Sequence, residues 1–265
     1  MKEDFKFGDR WLSQFGGVIT QSSPIDIATR NITLKEIPGR SGCECLDNGF
    51  YNNVEFSRNI GFINRKSNTQ IMPELLFIDW LAYKQNGYYE FEDTNHPGFI
   101  TYAVLTNFGE IQKQLRRIHT ATLNFSRVPF WYSKTGLIPV STDNHDTMIY
   151  SGINLNNPYP EPAKPIIKVK VFSESTTIET TSFSLEFNGK RYSFSKIPYS
   201  SVYDTLYIDC EKEQACVIND KTGEIYKYVD APIPAPLEHG NTNITLGGRW
   251  SKWAGFEITP RWRRL

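Results

Sequence analysis

The chain has 265 residues, of which 39% are hydrophobic, 14% aromatic and 22% charged, as in a folded protein of one large or two ordinary domains. Lysine plus arginine and aspartate plus glutamate both number 29. The zero net charge excludes binding of nucleic acid through a strong positive field, and it does little to keep copies of the chain apart.

No apolar run approaches the roughly 20 residues of a membrane helix, so we expect no membrane insertion. The polar N-terminus does not resemble a signal peptide, and we expect folding in a reducing cytoplasm. Free thiols are therefore the expected state of all four cysteines. A cross-strand bridge between Cys210 and Cys216, which flank a predicted hairpin, remains geometrically possible.

In the first half, alternating apolar residues predict short strands, beginning with Phe5 and Phe7. Turns are predicted at Pro38-Gly39 and at Asp47-Asn48-Gly49. The segment between 40 and 66 mixes polar and apolar residues without a continuous core face. One amphipathic helix is predicted over 73–86, beginning at a proline and ending before Gly87, and it must pack on a sheet.

The pattern changes near residue 132, and 134–165 is rich in Gly, Pro, Asn, Asp and Ser, which predicts a boundary or an irregular connection. Beyond it nearly every segment alternates as a strand. Asn188-Gly189 between two alternating runs predicts a tight hairpin. The spacing of these short strands predicts a β-sandwich.

Motifs for catalysis are weak. Glu90 and Glu92 share one face of a predicted strand and could act as a glycosidase pair, but a solvated strand face is the favoured interpretation. His119 lies within a strand pattern, which favours a structural role, and His145 in a polar loop lacks a calcium-loop pattern. We predict no enzyme activity, no metal site and no cofactor.

Aromatic side chains are the stronger signal. Phe130-Trp131-Tyr132 lies at the predicted boundary, and Trp250, Trp253 and Trp262 lie near the C-terminal end. Such side chains could stack on sugars or fill an interface. Burial in the core, or at the junction of the two halves, is the favoured interpretation of most of them.

Four stretches together resemble the distal tail proteins (Dit) of long, flexible-tailed phages, especially phages of Gram-positive hosts. The stretches, which follow the family's order and spacing across nearly the whole chain, are 37–42 with 48–51, the lone helix with Trp80-Leu81 and the later 124–130, 150–154 with 161–166, and 206–209 with 239–244 and 258–263.

The resemblance implies a mostly β protein of two β-sandwich domains. Residues 1–132, with the single helix, are expected to form a ring domain, and residues 133–265 a galectin-like domain that points outward. Residues 40–66 are the candidate for the family's belt, which reaches the neighbouring subunit. The candidate ring-interface residues are Arg40, Leu46, Phe50, Tyr51, Val54 and Phe56.

The resemblance also implies partners. Six copies are expected to close a ring at the virion tail tip, assembled in the host cytoplasm, with DNA passing through its pore without specific binding. The expected partners are the major tail tube protein, the tail-associated protein, the tape-measure protein and receptor-binding or baseplate proteins. The alternative is a carbohydrate-binding adhesin that uses Trp250, Trp253 and Trp262, although a galectin sugar-binding constellation cannot be assembled from this sequence.

Overall fold

The structure is a computed structural model that describes residues 3–22, 26–63, 73–108, 112–115, 118–142, 152–171, 181–197, 204–247 and 254–265. It is mostly β, with one α-helix in the described residues, which confirms the predicted fold class. The chain divides into two compact units, Met1–Trp131 with Leu265, and Tyr132–Arg264.

The first unit contains ten strands before the division. They are β1 (Phe5–Phe7), β2 (Arg10–Trp11), β3 (Gly17–Ile19), β4 (Arg30–Glu36), β5 (Cys43–Tyr51), β6 (Val54–Ile63), β7 (Tyr89–Asp93), β8 (Phe99–Phe108), β9 (Gln112–Leu115) and β10 (Ile118–Arg127). Most belong to one antiparallel sheet in the order β2-β1-β7-β8-β10-β6-β3, with β9 beside β10. These strands form one continuous hydrogen-bonded path around the core of the first unit.

Phenylalanines that alternate along these strands form the core of the first unit. Phe125 on β10 stacks on Phe56 of β6 at 5.2 Å between ring centroids, and Phe5 stacks on Phe91 of β7 at 5.5 Å. Each strand contributes every second side chain to one face, so the aromatic spacing read from the sequence becomes one buried layer.

The helix α1 (Pro73–Ala82) begins at the predicted proline and ends four residues earlier than the predicted 73–86. Beyond it the chain turns, with the Lys84 amide donating to the Leu81 carbonyl at 2.9 Å. The Lys84 ammonium pairs with Asp9 at 3.0 Å, a tertiary contact that helical periodicity does not encode. Phe77 and Leu81 are buried and hold α1 on the core.

The later strands are β11 (Trp131–Ser133), β12 (Val140–Thr142), β13 (Gly152–Asn157), β14 (Ile166–Val171), β15 (Thr181–Phe187), β16 (Lys190–Ile197), β17 (Asp204–Asp209), β18 (Gln214–Asn219), β19 (Ile225–Tyr228), β20 (Gly240–Gly247), β21 (Ala254–Thr259) and β22 (Arg263–Arg264). Two sheets, ordered β12-β21-β14-β17-β18-β19 and β13-β20-β15-β16, bury one common core. This is a sandwich packed face to face; its galectin-like character remains an expectation.

Two predictions in this unit have clear outcomes. The hairpin at Asn188-Gly189 is confirmed, since both residues have positive φ (46° and 85°) between the paired strands β15 and β16. The irregular connection predicted over 134–165 is wrong in part, because β12 and β13 lie within it. In β13, Ile153 and Leu155 alternate with exposed polar residues, and the polar composition concealed that alternation.

Candidate assembly interface

A two-stranded hairpin in the first unit, formed by β4 and β5 and called here the arm (residues 30–51), pairs with no other strand among the described residues. Nearly all of its side chains are exposed on both faces. Its tip turns at 37–42, where the Arg40 amide donates to the Ile37 carbonyl at 3.1 Å and both Gly39 and Gly42 have positive φ.

The arm carries three large apolar side chains that are at least half exposed to solvent. Ile32 is 50% exposed, Leu34 63% and Phe50 55%. An isolated two-stranded hairpin is marginally stable in water, and its unpaired edges are templates for another chain. These properties indicate a segment that is completed by contact with a second molecule.

The register of the arm separates two faces. Ile32 lies opposite Asp47, Leu34 opposite Cys45 and Glu36 opposite Cys43. One face therefore carries Ile32, Leu34, Cys43 and Cys45 between two carboxylates, and we call it the apolar face after its exposed aliphatic side chains. The other face carries Thr33 opposite Leu46 and Lys35 opposite Glu44, with the Asn48 amide donating to the Thr33 hydroxyl at 3.0 Å. Among the cross-strand pairs of this polar face, Leu46 is the large apolar side chain.

Contacts fix the root of the arm. Arg30 binds both carboxylate oxygens of Asp47 at 2.9 Å, and its guanidinium lies 4.7 Å over the Tyr51 ring. The arginine also holds the pKa of Asp47 below its usual range. Tyr51 in turn meets the Phe130 ring edge-on at 5.6 Å. The turn predicted at 47–49 is therefore a register shift within β5, and the strand continues to Tyr51.

A buried arginine holds the segment that leads into the arm. Arg127 is 2% exposed and donates to the carbonyls of Asp26, Val128 and Pro129 at 2.9–3.0 Å. Burial lowers the pKa of Arg127 to about 10, a value at which it remains charged at neutral pH. Three backbone acceptors around one buried cation make the root of the arm a fixed point.

The six residues predicted for a ring interface lie in two different environments, the exposed arm with its root and the buried strand β6. Arg40, Leu46 and Phe50 are exposed on the arm, and Tyr51 is half-buried at its root. Val54 and Phe56, each 7% exposed, belong to the core strand β6, which pairs with β10 and β3. The predicted belt 40–66 therefore needs correction: its exposed part ends near 53, and 64–66 lie outside the described residues.

Sequence reasoning missed the core face of β6, and it predicted a strand over 32–37 without assigning it to the belt. Buried Arg58 lies between Phe56 and Ile60 and interrupts the apolar pattern; its guanidinium pairs with buried Asp93 at 2.6 Å. In β4 the signal was available, since Ile32 and Leu34 alternate with polar residues, but alternation alone does not tell a core face from an exposed one.

Of the three tryptophans predicted as outer contacts, the structure describes one. Trp250 and Trp253 lie outside the described residues. Trp262 is 8% exposed and packs so tightly that a Cβ on Gly136 would lie 2.5 Å from its backbone nitrogen. Among the described residues of the second unit, the exposed aromatic side chains are Tyr226 and Tyr228, on the outermost strand β19 of the larger sheet.

The carboxylates of Glu90 and Glu92, considered above as a glycosidase pair, both form ion pairs with one lysine. The Lys6 ammonium lies 3.1 Å from Glu90 and 2.9 Å from Glu92, and the hydrogen bond to Glu92 is the largest cause of a raised Lys6 pKa. His119 is buried in β10, and His145 lies outside the described residues. No group of three or more His, Cys, Asp or Glu side chains in the described chain is placed to hold a metal ion.

All four cysteines are free thiols. Cys216 lies opposite Tyr207, and Cys210 follows the end of β17, so the two are not cross-strand partners. Cys43 and Cys45 are exposed on the arm. No helix of the described residues is long and apolar enough to cross a membrane.

No protein-family model matches the chain, and no curated protein matches it. Among solved structures, the Dit protein (gp 19.1) of phage SPP1, described as a paradigm of hub adsorption apparatus in phages that infect Gram-positive bacteria, matches with a TM-score of 0.62 and 12% identity over 100% of both chains. The chain has the fold of a phage Dit protein.

A second match comes from the baseplate of phage P2 in its activated conformation with Ca, with a TM-score of 0.50 and 12% identity over 100% of this chain and 99% of the other. Both descriptions name structural assemblies of phages, and neither names an enzyme. At this identity the likeness establishes the fold, and the recognition of the Dit pattern in the sequence is borne out at that level.

Proposed function

We propose that the protein is a structural hub of a phage tail tip, in which six copies close a ring through their first units. The exposed arm is the observation that carries the proposal, because a two-stranded hairpin with apolar side chains on its surface requires a partner. The Dit fold, described for a hub adsorption apparatus, supports the same role.

A cyclic ring requires head-to-tail contacts, in which one region of each subunit binds a different region of the next. An arm with a fixed root and an exposed surface is suited to be the segment that one subunit extends to the next. We propose that Arg40, Leu46 and Phe50, with Ile32 and Leu34, contribute to it. Tyr51 acts at the root, whereas Val54 and Phe56 support the sheet from which the arm extends.

The ring would join the major tail tube protein on one side and the tail-associated protein on the other, at the end of the tape-measure protein. DNA would pass through the pore without specific binding, which agrees with the zero net charge of the chain. The second unit would point outward and carry receptor-binding or baseplate proteins, and the exposed strand β19 is its candidate contact surface.

Carbohydrate binding remains a second candidate function because Tyr226 and Tyr228 expose 58% and 63% of their surface on one edge strand. Exposed tyrosine rings offer an apolar face together with a hydroxyl. Binding of the full chain to host cell-wall polysaccharide, lost in a Tyr226→Ala/Tyr228→Ala variant, would establish it. Equal binding by that variant and the parent protein would exclude these rings.

The ring is tested with the purified full chain by light scattering after size exclusion and by negative-stain imaging. We expect a species of about six times the 30.5 kDa chain mass and ring-shaped particles with a central pore. A variant lacking the tip, with residues 33–45 replaced by a short Gly-Ser turn, should be a folded monomer. A strict monomer of the unaltered chain at all concentrations would contradict the proposal.

A further inference from the structure

A small cavity lies in the first unit, where residues 26–29, called here the lead-in, bring the chain to the arm. Its volume for the centre of a water molecule is about 10 Å³, close to the roughly 10–15 Å³ that one buried water requires. The side chains that line it come from the lead-in, from strands β6, β10 and β11, and from the loop between β7 and β8: Asp26, Phe56, Arg58, His96, Arg127 and Trp131.

One of the residues that line this cavity carries an unsatisfied donor. Arg58 is 4% exposed, and its terminal nitrogens donate to the Ser57 carbonyl at 3.1 Å and to the Asp93 carboxylate at 2.6 Å. Its Nε–H is buried and has no hydrogen-bond partner among the described residues. A buried donor without an acceptor costs free energy, and in native proteins such groups are nearly always satisfied by protein atoms or by ordered water.

An acceptor lies at the same cavity. The Asp26 carbonyl accepts from Arg127 at 2.9 Å, whereas no residue of the described chain donates to the Asp26 carboxylate. Burial raises the pKa of this carboxyl, and the attraction of Arg58 and Arg127 opposes that rise. A half-buried carboxylate near two arginines, bonded directly to neither, is the usual setting of a molecule that accepts from one group and donates to the other.

We propose that this cavity binds one ordered water molecule, which accepts the Arg58 Nε–H and donates to the Asp26 carboxylate. Water has the required size and can both accept and donate. A halide ion can only accept, and the carboxylate would repel it. Asp26 is then held twice, directly by Arg127 at its carbonyl and through water by Arg58 at its carboxylate.

The water bridge makes Asp26 a positioning residue for the arm, which begins at Arg30. Within the lead-in, Ala28 is buried, and the Thr29 carbonyl accepts from the Asn52 amide at 2.9 Å, where the chain leaves the arm. Fixing Asp26 at two atoms therefore fixes the chain on both sides of the arm's root. The bridge lies within one subunit and does not depend on ring closure.

A high-resolution crystal structure of the full chain tests the water site directly. We expect one density peak within about 2.7–3.2 Å of both Arg58 Nε and a carboxylate oxygen of Asp26. A dry cavity, a direct hydrogen bond between Arg58 Nε and Asp26, or a peak that contacts only one of the two residues would overturn the proposal.

Amide hydrogen exchange of the full chain tests the positioning role. Asp26→Ala removes the acceptor, so the Asn52 amide should exchange about 2- to 10-fold faster than in the unaltered chain, the range expected for the loss of one net hydrogen bond. Asp26→Asn keeps an oxygen that accepts from the water and should leave the exchange rate unchanged. Glu55→Ala, which removes an exposed carboxylate from β6, is the matched control and should also leave it unchanged. Unchanged exchange in Asp26→Ala, or equal acceleration in Asp26→Asn, would overturn the positioning role of the carboxylate.

Discussion

Replacing the two aliphatic side chains of the apolar face should disassemble the ring without unfolding the subunit. In an Ile32→Thr/Leu34→Thr variant both positions carry a β-branched residue, so the strand propensity of β4 is kept. Both side chains are already at least half exposed in the subunit, at 50% and 63%, and their loss removes little from its own core.

The size of the effect follows from the surface that an interface would cover. Full burial of an isoleucine or leucine contributes about 1.5–3 kcal/mol, and burying the exposed half or more contributes about 1–2 kcal/mol per side chain. Two side chains give about 2–4 kcal/mol for each interface. Since 1.4 kcal/mol corresponds to a tenfold change, each contact should weaken about 30- to 700-fold.

A dilution series with light scattering would measure the concentration at which the assembly falls apart, and thermal unfolding would show that the subunit is intact. Leu46→Thr, a change at an exposed leucine (42%) on the polar face of the same arm, removes one contributing side chain instead of two and should weaken the assembly less. Assemblies of the double variant that persist at parent concentrations would refute the role of the apolar face. Equal loss in Leu46→Thr would refute the distinction between the two faces.

Three further predictions concern the subunit itself. Arg58→Met should cost about 3–5 kcal/mol of unfolding free energy because it leaves Asp93 buried and unpaired. Adding Asp93→Asn should restore much of that free energy in urea titrations. An unchanged unfolding free energy in Arg58→Met would contradict the buried pairing of Arg58 with Asp93. An aromatic disulfide reagent at pH 8 should react with Cys43 and Cys45 in the subunit and more slowly in the ring, whereas reaction of Cys210 would contradict its burial. Burial raises the pKa of Cys210 to about 12 from its usual 9.0, so the stability this thiol contributes is complete below pH 9 and is lost as the pH rises toward 12; Cys210→Ala should flatten that dependence in unfolding curves.

Much of the fold follows from local rules. The run on either side of Asn188-Gly189 alternates without a break, and a turn with positive φ at both residues is the one that joins twisted strands most easily. Pro73 marks the start of α1 for an equally local reason. The end of α1 was predicted too late, because a contact with Asp9, distant in sequence, accompanies the turn at Lys84.

The candidate interface was harder to predict because exposure is a property of the whole fold. Val54-Glu55-Phe56 and Ile32-Thr33-Leu34 have the same alternation, yet the first pairs with β10 in the large sheet and the second has no neighbour beyond the arm among the described residues. Only the number of strands beside each segment separates a core strand from an exposed one, and that number is set by pairings over long sequence distances.

The same reasoning explains why the arm carries apolar residues on a surface at all. A side chain such as Leu34, 63% exposed, contributes little to the stability of its own subunit, and an exposed hairpin edge invites unwanted pairing. Charged residues at intervals on both faces, such as Lys35 opposite Glu44 and Glu36 opposite Cys43, limit that pairing. Exposed aliphatic side chains held between such charges favour one specific contact over open-ended pairing of edges, which is the contact that the Ile32→Thr/Leu34→Thr variant tests.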